Sequence, residues 1–350
     1  MPQPVAVSIG NFDGVHLGHQ ALLRASRDEV GPGGRVIVIA FDPHPQAVLA
    51  EQAVPERLTT FDDRARVLHS AGVNEVRKLE PDTRLLALSP QAFAEQVLDE
   101  FAPSVIVEGE GFRFGRDRAG DLDLLAEVAG ARGCRVRAVA PVEVDLVDQT
   151  IVGVSSTRVR WLLGHGRVVD AARLLGRPYS LAGPVVRCDR RGRTIGFPTA
   201  NIETSTMLPG NGVYAARATL PDGTTCPAAV NVGTRPTVDG TRRCVEAHVL
   251  EAVDKGGWKP PPLGDEMKWK TLPGLPEYGW HLKIDLLDWV RDEIRFGSVE
   301  ALVEQMHRDC ARVRDMVRMA EKTIMSGGSH IRGGGIQSPE QTGALPKCNQ

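Results

Sequence analysis

The chain has 350 residues, and at about 150 residues per domain that length predicts two globular units. Its 42% hydrophobic and 25% charged content is that of a folded protein with a real core, not of a disordered or fibrous chain. The balance of 42 basic against 44 acidic residues, net −2, excludes a strongly basic nucleic-acid binder.

The first segment, MPQPVAVSIG, lacks the charged and apolar regions of a secretory signal. No apolar run approaches the roughly 18 residues that span a bilayer. The expectation is a cytoplasmic chain with no membrane partner. Val5 to Ile9 reads as a buried strand ending at Gly10, followed by a helical pattern from about Leu17 to Ser26. Val36 to Phe41, Ser104 to Val107 and Arg135 to Val139 repeat the strand pattern, with helical stretches at Pro90 to Phe101 and Asp121 to Arg132. Strands separated by helices of this length imply βαβ units and a parallel sheet with ligands at the carboxyl ends of its strands.

Thr157 to Leu175 predicts one or two linking helices. From Tyr179 to Leu250 the chain turns rich in Gly, Pro, Thr and Val, which predicts a small antiparallel barrel or sandwich. The boundary falls near 176–180, giving units 1–176 and 177–325. Residues 253–276 hold five prolines and four glycines, the composition of a surface insertion. Trp280 to Val290 resumes a strand. Ser298 can cap a last helix whose apolar stripe is Val299, Leu302, Val303, Met306, Cys310, Val313, Val317, Ala320 and Ile324. The polar, glycine-rich residues 326–350 are expected to be disordered. Six scattered cysteines form no CxxC pair, so neither a zinc knuckle nor a disulfide framework is implied.

The sharpest segment is GNFDGVHLGH, residues 10–19, directly after the first strand. A strand, a glycine-bearing turn and a helix start make an anion site of free backbone N–H groups. Gly10, Gly14 and Gly18 allow a nucleotide to approach the backbone. His16 and His19, three apart, fall on one side of the entering turn and can donate hydrogen bonds to phosphate oxygens. A lone His-x-x-His is otherwise a structural or surface feature, and no nearby Cys or third His completes a metal set. The glycine spacing fails the GxGxxG fingerprint, and the chain has no GxxxxGK[ST] loop.

This segment resembles the first ATP-binding motif of the HxGH nucleotidyltransferases, and more narrowly that of prokaryotic bifunctional riboflavin kinase/FMN adenylyltransferases. FDPHP at 41–45, GEGFRFG at 109–115 and SSTRVR at 155–160 resemble further motifs of that family in order. GPVVRCDRRGRTIGFPTAN, Gly183 to Asn201, resembles the glycine-rich loop and PTAN motif of riboflavin kinases, and CVEAH at 244–248 its VExH segment.

The resemblance implies an α/β nucleotidyltransferase unit followed by a kinase barrel with a terminal helix. It implies ATP and Mg²⁺ in two steps, riboflavin to FMN and FMN to FAD, with small molecules as partners; a weak homo-oligomer is a separate open expectation. It implies catalytic His16, His19 and Glu246, the last as base toward the ribityl hydroxyl. ATP contacts are implied at Gly10, Asn11, Phe12, Asp13, Gly14, Gly18, Ser155, Ser156, Thr157, Arg160, Gly183, Arg193, Thr199 and Asn201. Flavin contacts are implied at Phe41, His44, Phe112 and Arg291, and metal ligation at Thr199 and Asn201. Gly111 stands where the family usually shows Asp or Asn, and Cys188 where glycine is usual. Two alternatives therefore stay open: a divergent paralogue with kinase activity only, and a non-catalytic flavin or nucleotide sensor.

Overall fold

The computed structural model describes residues 3–49, 54–187, 195–237, 240–250 and 275–325. Cys188, Arg190, Arg191 and Arg193, nearly all of the 253–276 insertion and the 326–350 tail lie outside the described residues.

The first layer is built from β1 (Val5–Gly10), α1 (Leu17–Val30), β2 (Arg35–Phe41), α2 (Gln46–Leu49), α3 (Phe61–Ser70), β3 (Glu75–Leu79), α4 (Thr83–Leu86), α5 (Pro90–Phe101), β4 (Val105–Gly109), α6 (Leu122–Gly130) and β5 (Arg135–Val139). Its strands form a five-stranded parallel sheet in the order β3-β2-β1-β4-β5. Val36 to Ala40 is buried on both faces, which is why β2 reads as an unbroken apolar run rather than an alternating one. Leu23, Val30 and Leu68 pack one face, and Phe93, Val97, Leu98 and Leu125 pack the other. The strand order reverses between β1 and β4, the kind of switch point beside which open parallel sheets bind ligands.

A hairpin of β6 (Glu143–Asp145) and β7 (Ile151–Gly153) leads into α7 (Ser156–Gly164) and α8 (Val168–Leu175). The expected one or two helices are two, broken at Gly166 with φ +70°. Leu162, Leu163, Leu174 and Leu175 join the barrel interior in one apolar cluster with Leu181, Tyr214 and Leu286.

The barrel comprises β8 (Tyr179–Val186), β9 (Ala200–Ile202), β10 (Gly212–Thr219), β11 (Thr225–Thr237), β12 (Gly240–Val249) and β13 (His281–Arg291), closed in the order β10-β11-β12-β9-β8-β13. Closure removes the sheet edges, and the period-2 alternation sends Val230, Val232, Val245 and Ala247 inward. The last helix, α9 (Val299–Met325), lies against the outer face, where Cys310, Val313 and Val317 meet Val213, Ala215 and Val290. Ser298 caps it, its Oγ accepting from the Ala301 N–H at 3.2 Å. One residue of the expected stripe is corrected: Val299, the first residue of α9, is 47% exposed. Ile324 belongs to α9, but its side chain lies outside the described residues.

Gly183 sits inside β8, paired with Leu282, where a Cβ would lie 1.8 Å from the Glu203 carbonyl oxygen. This backbone approach by itself requires glycine at 183. Gly183→Ala is expected to destabilise the barrel by about 1–3 kcal/mol through overpacking. Thermal melting of the variant checks it, and an unchanged midpoint would show that β8 and Glu203 separate freely.

Candidate active site

In the α/β layer the chain leaves β1 through a strained turn. Phe12, Gly14 and Val15 have φ of +48°, +81° and +42°, and two of the three are not glycine. Such geometry costs energy and persists only where packing enforces it. The buried side chains of Phe12 and Val15 supply that packing. Asp13 is the hub between them. Its carboxylate accepts from the Leu58 N–H (2.9 and 3.1 Å), the Thr59 N–H (3.0 Å), the Thr59 hydroxyl (3.1 Å) and Arg160 Nη2 (2.6 Å). The Ser156 hydroxyl donates to the Asp13 carbonyl at 2.7 Å. Residues 10–19 and 155–160, far apart in sequence, are thus joined.

This joining gives the second segment a structural role. Arg160 is paired with Asp13 and donates through Nε to the Glu56 carbonyl at 2.7 Å. Ser155 caps α7 by accepting from the Arg158 N–H at 3.2 Å. Arg160, Ser155 and Ser156 are therefore engaged in building the turn. Thr157, in the first turn of α7, is exposed.

His16 and His19 do stack on one another, with ring centroids 3.6 Å apart and planes 14° from parallel. His16 Nδ1 accepts from the His19 N–H at 3.3 Å and so caps α1. That bond fixes the neutral tautomer with its proton on Nε2, leaving one donor. Burial, the largest cause, lowers the His16 pKa from 6.5 to about 4. Burial and then the neighbouring His16 push His19 well below its usual range. Gly18 leaves room for the His16 ring, since a Cβ there would lie 3.1 Å from it.

Beside the stack a cleft of about 140 Å³ is lined by Asn11, Asp13, Phe41, His44, Arg57, Arg64 and Arg160 among others. His44 Nε2 lies 3.0 Å from Asn11 Nδ2, so the FDPHP segment meets the GNFDG turn. Neither His16 nor His19 lines this cleft. Phe112 lies apart from it, stacked on Phe114 at 5.4 Å in the cluster of the α5–α6 face. Sequence reasoning missed Arg64, a buried arginine of α3 that donates to the carbonyls of Asn11 (2.7 Å) and Phe41 (2.8 Å) and pairs with Asp42. It also missed Glu108, whose buried carboxyl accepts from the Ile9 N–H at 2.5 Å just beyond the last β1–β4 pair, Val7↔Ile106. Burial pushes the Glu108 pKa well above the carboxylate range.

The barrel carries a second constellation on its outer face. Glu246 of β12 stands opposite Asn201 of β9 and Asn231 of β11. The Thr199 hydroxyl donates to Glu246 Oε2 at 3.4 Å. Asn201 Oδ1 is buried with no hydrogen-bond partner among the described residues. Arg291 is bound to α9, with Nη2 2.8 Å from Asp309 Oδ2 and its guanidinium 5.5 Å from the Phe296 ring centre.

A family model described as FAD synthetase matches residues 1–158, and one described as riboflavin kinase matches residues 175–317. A bifunctional riboflavin kinase/FMN adenylyltransferase of Escherichia coli K12 is 34% identical over 320 residues, covering 88% of this chain and 91% of the relative. The chain belongs to the bifunctional riboflavin kinase/FMN adenylyltransferase family.

Family members from Pseudomonas fluorescens and Listeria monocytogenes are 34% and 31% identical, covering 88% and 87% of this chain and 91% and 89% of theirs. A crystal structure described as a macrolide-efflux protein from Streptococcus pneumoniae aligns with TM-score 0.73 and 28% identity, over 90% of this chain and 95% of that one. Among the described residues no helix is long and apolar enough to cross a membrane. The two family regions correspond in this chain to the α/β layer with the strained turn and to the barrel with Glu246.

Proposed function

We propose that the chain makes FAD in two steps, phosphorylating riboflavin to FMN and then adenylylating FMN. Residues 1–176 form the adenylyltransferase unit and 177–325 the kinase unit, with 253–276 an insertion and 326–350 a tail. ATP and flavins are the substrates, and the reactions take place in the cytoplasm.

The observation that carries the kinase reading is the convergence of Thr199, Asn201 and Glu246 on one outer face of the barrel. Glu246 accepts the proton of the terminal ribityl hydroxyl as its oxygen attacks the γ-phosphorus. The bond to the bridging oxygen breaks and ADP leaves. The Thr199 hydroxyl and Asn201 Oδ1, which has no partner among the described residues, are neutral oxygens of the type that suits Mg²⁺. When bound there, the ion offsets charge on the transferring phosphate.

In the other unit an FMN phosphate oxygen attacks the α-phosphorus of ATP and pyrophosphate leaves. The turn at 10–16 and the arginine-lined cleft hold the phosphates in line, and the Nε2–H of His16 is a preorganised donor. No covalent enzyme intermediate is needed.

Incubating the chain with ATP, Mg²⁺ and either riboflavin or FMN, then separating flavins by chromatography, tests the reading. FAD from both substrates, with FMN appearing from riboflavin, supports it. FMN without FAD gives the kinase-only paralogue, and no product gives the sensor. The paralogue reading draws on Gly111, around which a Cβ would meet nothing within 4 Å. Gly111→Asn is therefore sterically free and is expected to raise FAD formation from FMN while FMN formation stays constant. An unchanged FAD rate would show that Gly111 limits nothing.

A further inference from the structure

The VExH segment contributes Glu246 to the reading above, but its histidine is left without a task. His248 follows Glu246 by two residues on β12, so both side chains leave the same outer face of the barrel. It is 6% exposed. Its Nδ1 lies 2.6 Å from the carbonyl oxygen of Pro198. A carbonyl only accepts, so the ring proton sits on Nδ1 and donates to Pro198.

The place of this bond matters. The β12–β9 ladder runs Val245↔Ile202, Glu246↔Asn201 and Ala247↔Ala200, and there it ends. Thr199 is the residue just past the last pair, and the His248 side chain grips the residue before it. Phe197 adds a second hold, its ring 5.3 Å from His248 and 4.9 Å from His307 of α9. Gly196, with φ +87°, begins the turn. The segment that delivers Thr199 to Glu246 is thus held by a side chain where backbone pairing has stopped.

We propose that His248 is a positioning residue of the kinase step: its Nδ1–H fixes the Pro198 carbonyl and so sets the Thr199 hydroxyl against Glu246. This rests on the kinase assignment of the barrel. Displacing Thr199 by about an ångström removes a positioned hydroxyl from the reacting phosphate, a misplacement that costs on the order of 10²-fold in rate.

The deciding comparison is His248→Asn with His248→Gln. Asn carries an amide N–H at the δ position, where it reaches Pro198, whereas Gln carries its amide one bond further out. Expected is a kcat for FMN formation that falls roughly 10–10²-fold in His248→Gln. Riboflavin binding, followed by flavin fluorescence, holds in both variants. His248→Asn recovers most of the rate, and FAD formation from FMN is unchanged in both, so the α/β layer is intact while riboflavin binding reports that the barrel is folded. Equal losses in the two variants, a rise in riboflavin KM with kcat intact, or wild-type rates in His248→Gln would each overturn the proposal. Failure of the kinase assignment itself is a separate result: the wild-type chain would then make no FMN.

Discussion

Glu246→Ala is expected to lower FMN formation from riboflavin by roughly 10²–10⁴-fold, the usual contribution of a positioned general base. The conversion of added FMN to FAD should continue, because Glu246 lies on the barrel and His16 and His19 lie on the α/β layer. Riboflavin binding should survive, since truncation removes a proton acceptor and leaves the barrel interior untouched: Val245 and Ala247 point inward, and Glu246 does not. Glu246→Gln sharpens the test. It keeps size and most hydrogen bonding to Thr199 but cannot take the proton, so it should be nearly as slow as Ala. If Gln retained the wild-type rate, Glu246 would be a structural partner of Thr199 and the base would have to be sought elsewhere. A sensor protein would show no turnover in any form, and the wild-type control separates that outcome from loss of the base.

Much of the frame was legible because the physics was local. Val36 to Phe41 is continuously apolar since β2 has helices on both faces, and Pro90 to Phe101 carries its own cap, Ser89 accepting from the Ala92 N–H at 3.2 Å. By contrast β3, Glu75–Leu79, escaped notice. It is an edge strand whose Arg77 and Lys78 are exposed, so it lacks the apolar run that marks its neighbours. Helix α3 was missed as well, and with it Arg64, which in sequence resembles any helical surface arginine.

The site residues divide along the same line. His16 and His19 are three residues apart and stack on one side of the turn as that spacing implied, whereas Thr199, Asn201 and Glu246 come together through the β9–β12 pairing, which only the family resemblance brought to notice. Arg160, Arg291 and Gly183 have partners that no local pattern marks: Asp13, Asp309 and the Glu203 carbonyl. A motif marks that such residues belong to a site region, but tertiary packing decides whether they face a ligand or brace the wall behind it.

The second large effect is expected in the α/β layer. His19→Ala should lower FAD formation from FMN by about 10²–10³-fold, the range seen when one preorganised donor to a developing charge is lost. FMN formation should stay within error of wild type. His16→Ala should combine a rate loss with a stability loss of about 0.5–2 kcal/mol, because His16 also caps α1. The pair separates the roles: kcat alone moves for His19, whereas kcat and the melting midpoint both move for His16. Their pH behaviour follows from burial. In the folded chain His16 stays neutral down to about pH 4, while the unfolded chain takes up that proton near 6.5. The unfolded state therefore binds more protons between those values, and the stability present above 6.5 is lost progressively as pH falls toward 4. From pH 7 to 8 neither imidazole changes charge, so FAD formation should show no histidine inflection there. A rate that rose on acidification through 6.5 would mean that the working form is an imidazolium. The two buried rings would then have to be held charged by the phosphates of the bound nucleotide.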